Sequence, residues 1–154
     1  MEAHPGFMRT ALLLMLLAAA DSAGAAYGTW TLNATQSTFA GETQPRSLTI
    51  RIEPHAKGEV FTFDRIEADG RVVSSSILLY LDGTERDFSD NECSGTQSSR
   101  RIDSQSIEIR RNCGAGAWIR FVRRTASRDH LILDISEQRA DGHRFDRRLV
   151  FEKQ

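Results

Sequence analysis

Beyond its first two dozen residues, this sequence shows almost no helical periodicity, which leaves an all-β reading of the rest. Cysteine is nearly as scarce, with only Cys93 and Cys113 present. Two cysteines exclude a stapled mini-protein, and a chain of this size can bury a core without such a framework. His55, His130 and His143 show no paired metal-ligand spacing, so no metal or other cofactor is expected. A single disulfide is then the simplest use of the two thiols in an oxidising compartment. Catalytic signatures are missing too. No G-x-S-x-G elbow surrounds Ser74-Ser75-Ser76, and CGAGAW (113–118) lacks the Lys-Ser/Thr and following helix of a phosphate loop. No linker, low-complexity segment or second domain is visible. The longest apolar run, ALLLMLLAAA (11–20), falls short of the ~20 residues that span a bilayer.

That short run has a different meaning. Met8-Arg9 precedes it and the small residues of DSAGAA follow, giving the three parts of a secretory signal: a cation, an apolar run and an A-x-A-like site. The expected division is a signal peptide over residues 1–25 and one domain over 26–154. The acidic residue in MEAHPGF leaves Met8 open as an alternative start. With no Cys after the apolar run, a lipid anchor is not expected. The chain reads as secreted or periplasmic, without a membrane span once the signal is removed.

What the mature region does contain is alternation. Leu48, Ile50 and Ile52 alternate with polar neighbours, and VFTFDRI (60–66), RVVSSSILLYL (71–81), SIEIRR (106–111), AWIRFVRRTA (117–126), HLILDISEQ (130–138) and HRFDRRLVFE (143–152) continue the pattern. HAKG, EADG, SRD and RADG separate them, and Asp82-Gly83 marks a hairpin before a short ERDF (85–88) and a loop over 89–97. With YGTWTL (27–32) at the front and SSRRI (98–102), about ten strands follow one another through short turns. Such a meander removes its exposed edges by closing into an antiparallel up-and-down barrel of about eight to ten strands. A hairpin centred on Asp103-Ser104-Gln105 brings Cys93 and Cys113 close together near its open end, within reach of a disulfide. Charge is unevenly spread: acids predominate from Tyr27 to Ser99 and bases from Arg100 onward, nearly all of them Arg. The Arg residues alternate with apolar ones, as on a solvated outer sheet face, and their scatter argues against nucleic acid.

GTW at the head of the first strand, a polar turn ending in Phe39, and LVFEKQ (149–154) at the end resemble the lipocalin and fatty-acid-binding-protein barrels, the calycin superfamily. SLTIRIEP, EADGR (67–71), YLDGTERDF (80–88), RRID (100–103) and RADG (139–142) extend the likeness across the mature chain, closest to small exported bacterial lipocalin-like proteins. The resemblance implies a barrel with an interior that holds an apolar ligand. It also implies that Trp30 packs across the closed end and stacks with an Arg of the last strand, here Arg147 or Arg148, a contact worth about 0.5–2 kcal/mol. One departure matters. Fatty-acid carriers hold the ligand carboxylate with Arg-x-Tyr on the last strand, where this chain, aligned on Glu152-Lys153, has Leu149-Val150-Phe151. Residues 33–46 are also too few for the two-helix lid of those carriers.

Candidate ligand-binding residues follow from which faces point inward. Ala117, Ile119, Phe121 and Arg123 form the apolar face of their strand, with Arg123 near its rim and able to clamp a carboxylate. Phe145, Arg147, Leu149 and Phe151 share a face, and Arg147 among them needs a partner: Trp30, Asp134 or a ligand anion. Tyr80 offers a hydroxyl to the interior, and Phe63 joins the lining. Asp134 is expected to face outward. His130 stands without any pocket motif. The expected function is a non-enzymatic binder of a small apolar or amphipathic molecule in the cell envelope. The alternative is an envelope structural or interaction protein whose barrel is filled by its own side chains, Phe61, Phe63, Phe121, Phe145 and Phe151. Interior volume separates the two.

Overall fold

A computed structural model describes residues 22–154, so the expected signal segment, apart from its last few residues, lies outside the described residues. A 3-10 turn at Ser22–Ala26 leads into ten strands: β1 (Gly28–Thr38), β2 (Ser47–His55), β3 (Gly58–Ile66), β4 (Val72–Leu79), β5 (Arg86–Ser89), β6 (Ser94–Arg101), β7 (Ser106–Gly114), β8 (Ala117–Thr125), β9 (His130–Gln138) and β10 (Arg144–Lys153). They form one antiparallel sheet in the order β4-β3-β2-β1-β10-β9-β8-β7-β6-β5. Consecutive strands pair with one another except at β4 and β5, and β1 closes onto β10. Ten strands is the upper end of the expected range.

The period-2 alternation of each strand gives the sheet an apolar concave face. At one end Trp30, Phe151, Ile50, Ile52 and Leu131 are fully buried in a single cluster. Trp30 seals this end and donates its indole Nε1–H to the Ala26 carbonyl at 2.9 Å. Its cationic neighbour is Lys153, directly opposite in the β1–β10 register, with Nζ 5.2 Å from the ring centroid. The expected Arg147 or Arg148 partner is thus corrected. At ~3.3 Å per residue those positions lie about five residues along β10 from Lys153, near the other end of the barrel.

The β4–β5 seam has no ladder, and side chains and loop backbone bridge it instead. Leu79 of β4 packs against Ile107 and Ile109 of β7 near the sealed end. The Leu81 and Gly83 N–H groups donate to the Ser99 hydroxyl (3.0 Å) and carbonyl (2.8 Å) of β6, and Asp82 forms a bridge with Arg100. Asp82-Gly83 therefore does not turn a tight hairpin. Leu81 takes a positive φ of 58°, and the Asp82 carboxylate caps the Thr84 N–H and holds Arg86 with two hydrogen bonds (2.9 and 2.7 Å), which carries the chain past β5 to β6.

β6 starts earlier than the expected loop allowed, because Ser94–Gln97 pair with β5. Gly95 makes this possible: a Cβ there would sit 1.8 Å from the Asn112 carbonyl oxygen of β7. Beside it, Cys93 and Cys113 form the disulfide, with Cα atoms 4.9 Å apart and a sequence separation of 20. For a loop of that length, replacing both cysteines by Ala is expected to cost about 3 kcal/mol. Guanidinium unfolding of the oxidised wild type and the double variant measures this, and coincident transitions would remove the bond from the stability account.

Candidate functional site

Two buried charges meet inside the barrel. Glu59 opens β3 opposite Leu79 and Pro54, and Arg123 lies late in β8 opposite Ile107 and Leu133. Neither strand neighbours the other in the sheet, so the pair reaches across the interior. The Arg123 Nη1 donates to Glu59 Oε1, with side chains only 4% and 1% exposed. Alternation places them there: Glu59 shares the inner face of β3 with Phe61, Phe63 and Arg65, and Arg123 that of β8 with Phe121, Ile119 and Ala117. The Trp30 cluster closes the same end of the barrel, and Phe61, Phe121, Ile119 and Leu48 pack against that cluster.

Toward the mouth the inner face changes character. Phe61, Phe63, Phe121, Ile119, Leu48 and Phe145 are only partly buried. Arginines roof several of these rings: Arg65 over Phe63 (5.9 Å), Arg111 over Phe88 (4.2 Å) and Phe121 (5.2 Å), and Arg139 over Phe145 (4.2 Å). Each arginine has an acid. Arg65 meets Glu67 (2.7 Å) and Glu92 (3.7 Å), and Arg111 meets Asp90 (3.3 Å) while donating to Gln97 (2.9 Å). Arg147 donates to Glu137 (2.9 Å), and Arg139 bridges Glu137 and Glu42. Burial lowers the Arg111 guanidinium below its ordinary range, with Asp90 and Glu92 opposing that shift. The mouth is therefore a wall of half-exposed aromatic rings bordered by arginines that are already paired.

Measured against this geometry, the sequence-derived residues surround the lumen without converging on one pocket. Arg123 does face inward, but deep beneath the rim where it was expected, and its partner is protein rather than solvent. Arg147 also faces inward, but it binds Glu137, not Asp134 or Trp30. Asp134 lies outside, holding Arg148 with two hydrogen bonds (2.6 and 2.9 Å). Phe63, Phe121 and Phe145 line the mouth half. Tyr80 sits apart at the β4–β5 seam, stacked under Arg86 at 3.7 Å. There it borders a cavity of about 240 Å3 with Ile77, Phe88, Gln97 and Ser99. Ser74 and Ser76 serve the sheet, bonded to Asp64 and Thr62 across the ladder. Glu59, Glu137 and Arg111 were missed. Their only signal is a charge in phase with apolar positions two residues away, which marks them as inward-facing once strand phase is known.

A second charged cluster lies outside, on β6–β8. Glu108 is only 1% exposed, and it accepts hydrogen bonds from Arg100 (2.9 Å), Arg110 (2.9 and 3.3 Å) and Arg120 (2.5 Å). Burial alone would raise its pKa, but the three guanidinium groups outweigh that and hold it at about 2. Among the described residues no group of three or more His, Cys, Asp or Glu side chains is placed to hold a metal ion.

No family model and no curated protein matches the chain. Solved structures do match its shape. A Schistosoma mansoni fatty acid binding protein in complex with arachidonic acid aligns with a TM-score of 0.61 at 9% identity, over 86% of this chain and 98% of that one. Zebrafish ileal bile acid-binding protein complexed with cholic acid gives 0.55 at 12% identity, over 84% and 99%. The fluorescent protein UnaG gives 0.54 at 12% identity, over 83% and 96%. At these identities the likeness shows the fold alone, an antiparallel β-barrel like that of the fatty-acid-binding proteins.

Two predictions follow the charges. Arg123→Met leaves Glu59 buried without a partner and is expected to cost about 3–5 kcal/mol, whereas adding Glu59→Met restores most of the loss. A double-mutant cycle by urea unfolding reads the coupling, and strictly additive losses would refute the pair. For Glu108, a carboxylate with a depressed folded pKa stabilises the fold fully above its ordinary value of 4.5. That contribution fades as pH falls toward about 2. Glu108→Gln should therefore narrow its stability deficit against wild type between pH 5 and pH 2 in a pH series of thermal melts. A deficit that stays constant over that range would contradict the assignment.

Proposed function

We propose that this protein is exported and binds a small apolar or amphipathic molecule, without catalysis, in the mouth half of its barrel. One observation carries the reading: Phe63, Phe121 and Phe145 line an inner wall above a sealed floor, yet the protein's own packing leaves them partly exposed. Open, aromatic-lined barrel mouths are common places for small ligands. The complexes with arachidonic and cholic acid among proteins of like fold agree with it. The signal-like first residues favour an envelope or secreted location, as does the disulfide.

Recognition would differ from an arginine–tyrosine carboxylate clamp. The two inner positions of β10 that correspond to it hold Leu149 and Phe151, both buried and apolar. The next inner residue, Arg147, is already engaged by Glu137. Binding then rests on aromatic surface area, with the paired arginines fixing the rings in place.

A second reading has its own support. Phe61 and Phe121 each pack against both core clusters, so opposite walls meet around them and part of the lumen is filled by the protein itself. That favours an envelope structural or interaction module. Native mass spectrometry of the protein purified from its own host separates the two. The expected result is the oxidised chain 26–154 carrying an added mass that organic extraction releases. A bare mass that lipid extracts fail to increase would replace the binder with the self-filled barrel.

A further inference from the structure

The outer wall carries a site that the lumen does not explain. On β6–β8, Glu108 faces Arg100 directly across the ladder, with Arg110 two residues on and Arg120 diagonally across, all on the convex face. Each guanidinium reaches the carboxylate through its Nε–H, and only Arg110 adds a terminal nitrogen. Among the described residues, the Nη groups of Arg100 and Arg120 have no other hydrogen-bond partner. These three side chains are 56%, 60% and 45% exposed for Arg100, Arg110 and Arg120, while the carboxylate beneath them is shut off from solvent. One buried acid therefore holds three arginines in a fan whose free donors point outward. Beside the fan runs a groove of about 400 Å3 lined by Arg110, Arg120, Asn112, Thr96 and Trp118, with Glu85 and Arg111 also on its wall.

We propose that this fan and groove form a binding site for a phosphate group on the outer wall of the barrel. Three guanidinium groups less one carboxylate leave the fan two positive charges, enough for a phosphate dianion or for the single charge of a phosphodiester. Arginine forks suit its tetrahedral oxygens, because two parallel N–H donors fit two of them. Asn112, Thr96 and the Trp118 ring supply hydrogen bonds and a flat surface for whatever bears the phosphate. Holding the guanidinium groups in place beforehand reduces the side-chain entropy that binding would otherwise cost. The source is a soluble phosphate compound or the headgroup of an anionic phospholipid, and the chemistry at the arginines is the same for both.

Trp118 provides the readout, since Trp30 is fully buried and remote from the outer wall. Titration of the disulfide-bonded protein with inorganic phosphate should give a saturable fluorescence change that Trp118→Phe abolishes. Arg120→Ala and Arg100→Ala should each weaken binding about tenfold or more, because each removes charged donors from the anion. Arg128→Ala, which removes the same charge from an exposed turn away from the fan, should stay within about twofold, as expected for a remote screened charge. Thermal melts verify that each variant is folded. Vesicles of phosphatidylglycerol in phosphatidylcholine, against phosphatidylcholine alone, identify the source. Vesicle binding lost with Arg120→Ala, without any response to inorganic phosphate, assigns the site to a lipid headgroup. Response to phosphate alone assigns it to a soluble compound. Absence of response to both probes, or equal loss in Arg120→Ala and Arg128→Ala, overturns the proposal.

Discussion

The interaction on which the interior depends is the Glu59–Arg123 pair. Neither charge can be left alone in a barrel floor lined by Leu79, Ile107 and Leu133, because an unpaired buried ion costs several kcal/mol. The pair therefore ties β3 to β8 across a space that no backbone hydrogen bond crosses. It lies at the closed end of the barrel, as the Trp30 cluster does, while the inner rings toward the mouth stay half-exposed. Since the β4–β5 seam lacks a ladder, a cross-lumen tie takes part of the role that strand pairing plays elsewhere in the wall. The Leu79 contacts with Ile107 and Ile109 lie beside it, so the tie and the seam's apolar closure support each other.

The same requirement explains why basic residues here are almost all arginine. A guanidinium stacks flat on a ring while its edge donates to a carboxylate, which a compact ammonium does less well. Arg111 does both, lying between Phe88 and Phe121 while reaching Asp90 and Gln97. Arg139 covers Phe145 and bridges Glu42 and Glu137. Each such residue joins a wall to a mouth loop, so the mouth is shaped by electrostatics where the floor is shaped by apolar packing. The disulfide at Cys93 adds a covalent tie at the same rim.

Strand phase was legible in the sequence because period-2 alternation survives wherever one face is buried. AWIRFVRRTA and HRFDRRLVFE show their inner faces directly, and the disulfide followed from the hairpin about Ser104. What failed was anything set by register across strands. The partner of Trp30 is decided by which β10 residue lies opposite it, and that is Lys153 rather than a nearby arginine. Arg147 goes to Glu137 because both face inward, while Asp134 points outward with Arg148. The Asp82-Gly83 dipeptide looks like a hairpin turn, yet tertiary contacts to Ser99 and Arg100 override it. Glu108 gave no signal at all, since one acid among basic residues on an outer face is what any solvated strand shows.

Charge pairing also separates the two proposed sites by chemistry. Inside the barrel every arginine named at the mouth already meets a carboxylate, so an incoming anion would have to displace a protein acid that stays buried or half-buried. That exchange gains little, because the displaced acid keeps its desolvation cost without its partner. The lumen therefore favours ligands that bring apolar surface rather than charge. On the outer wall the stoichiometry is reversed, with three arginines sharing one acid and free donors facing solvent. An anion there completes the cluster without displacing anything. A molecule with both an apolar body and a phosphate head is then not expected to satisfy both sites at once, because the wall of the barrel lies between them.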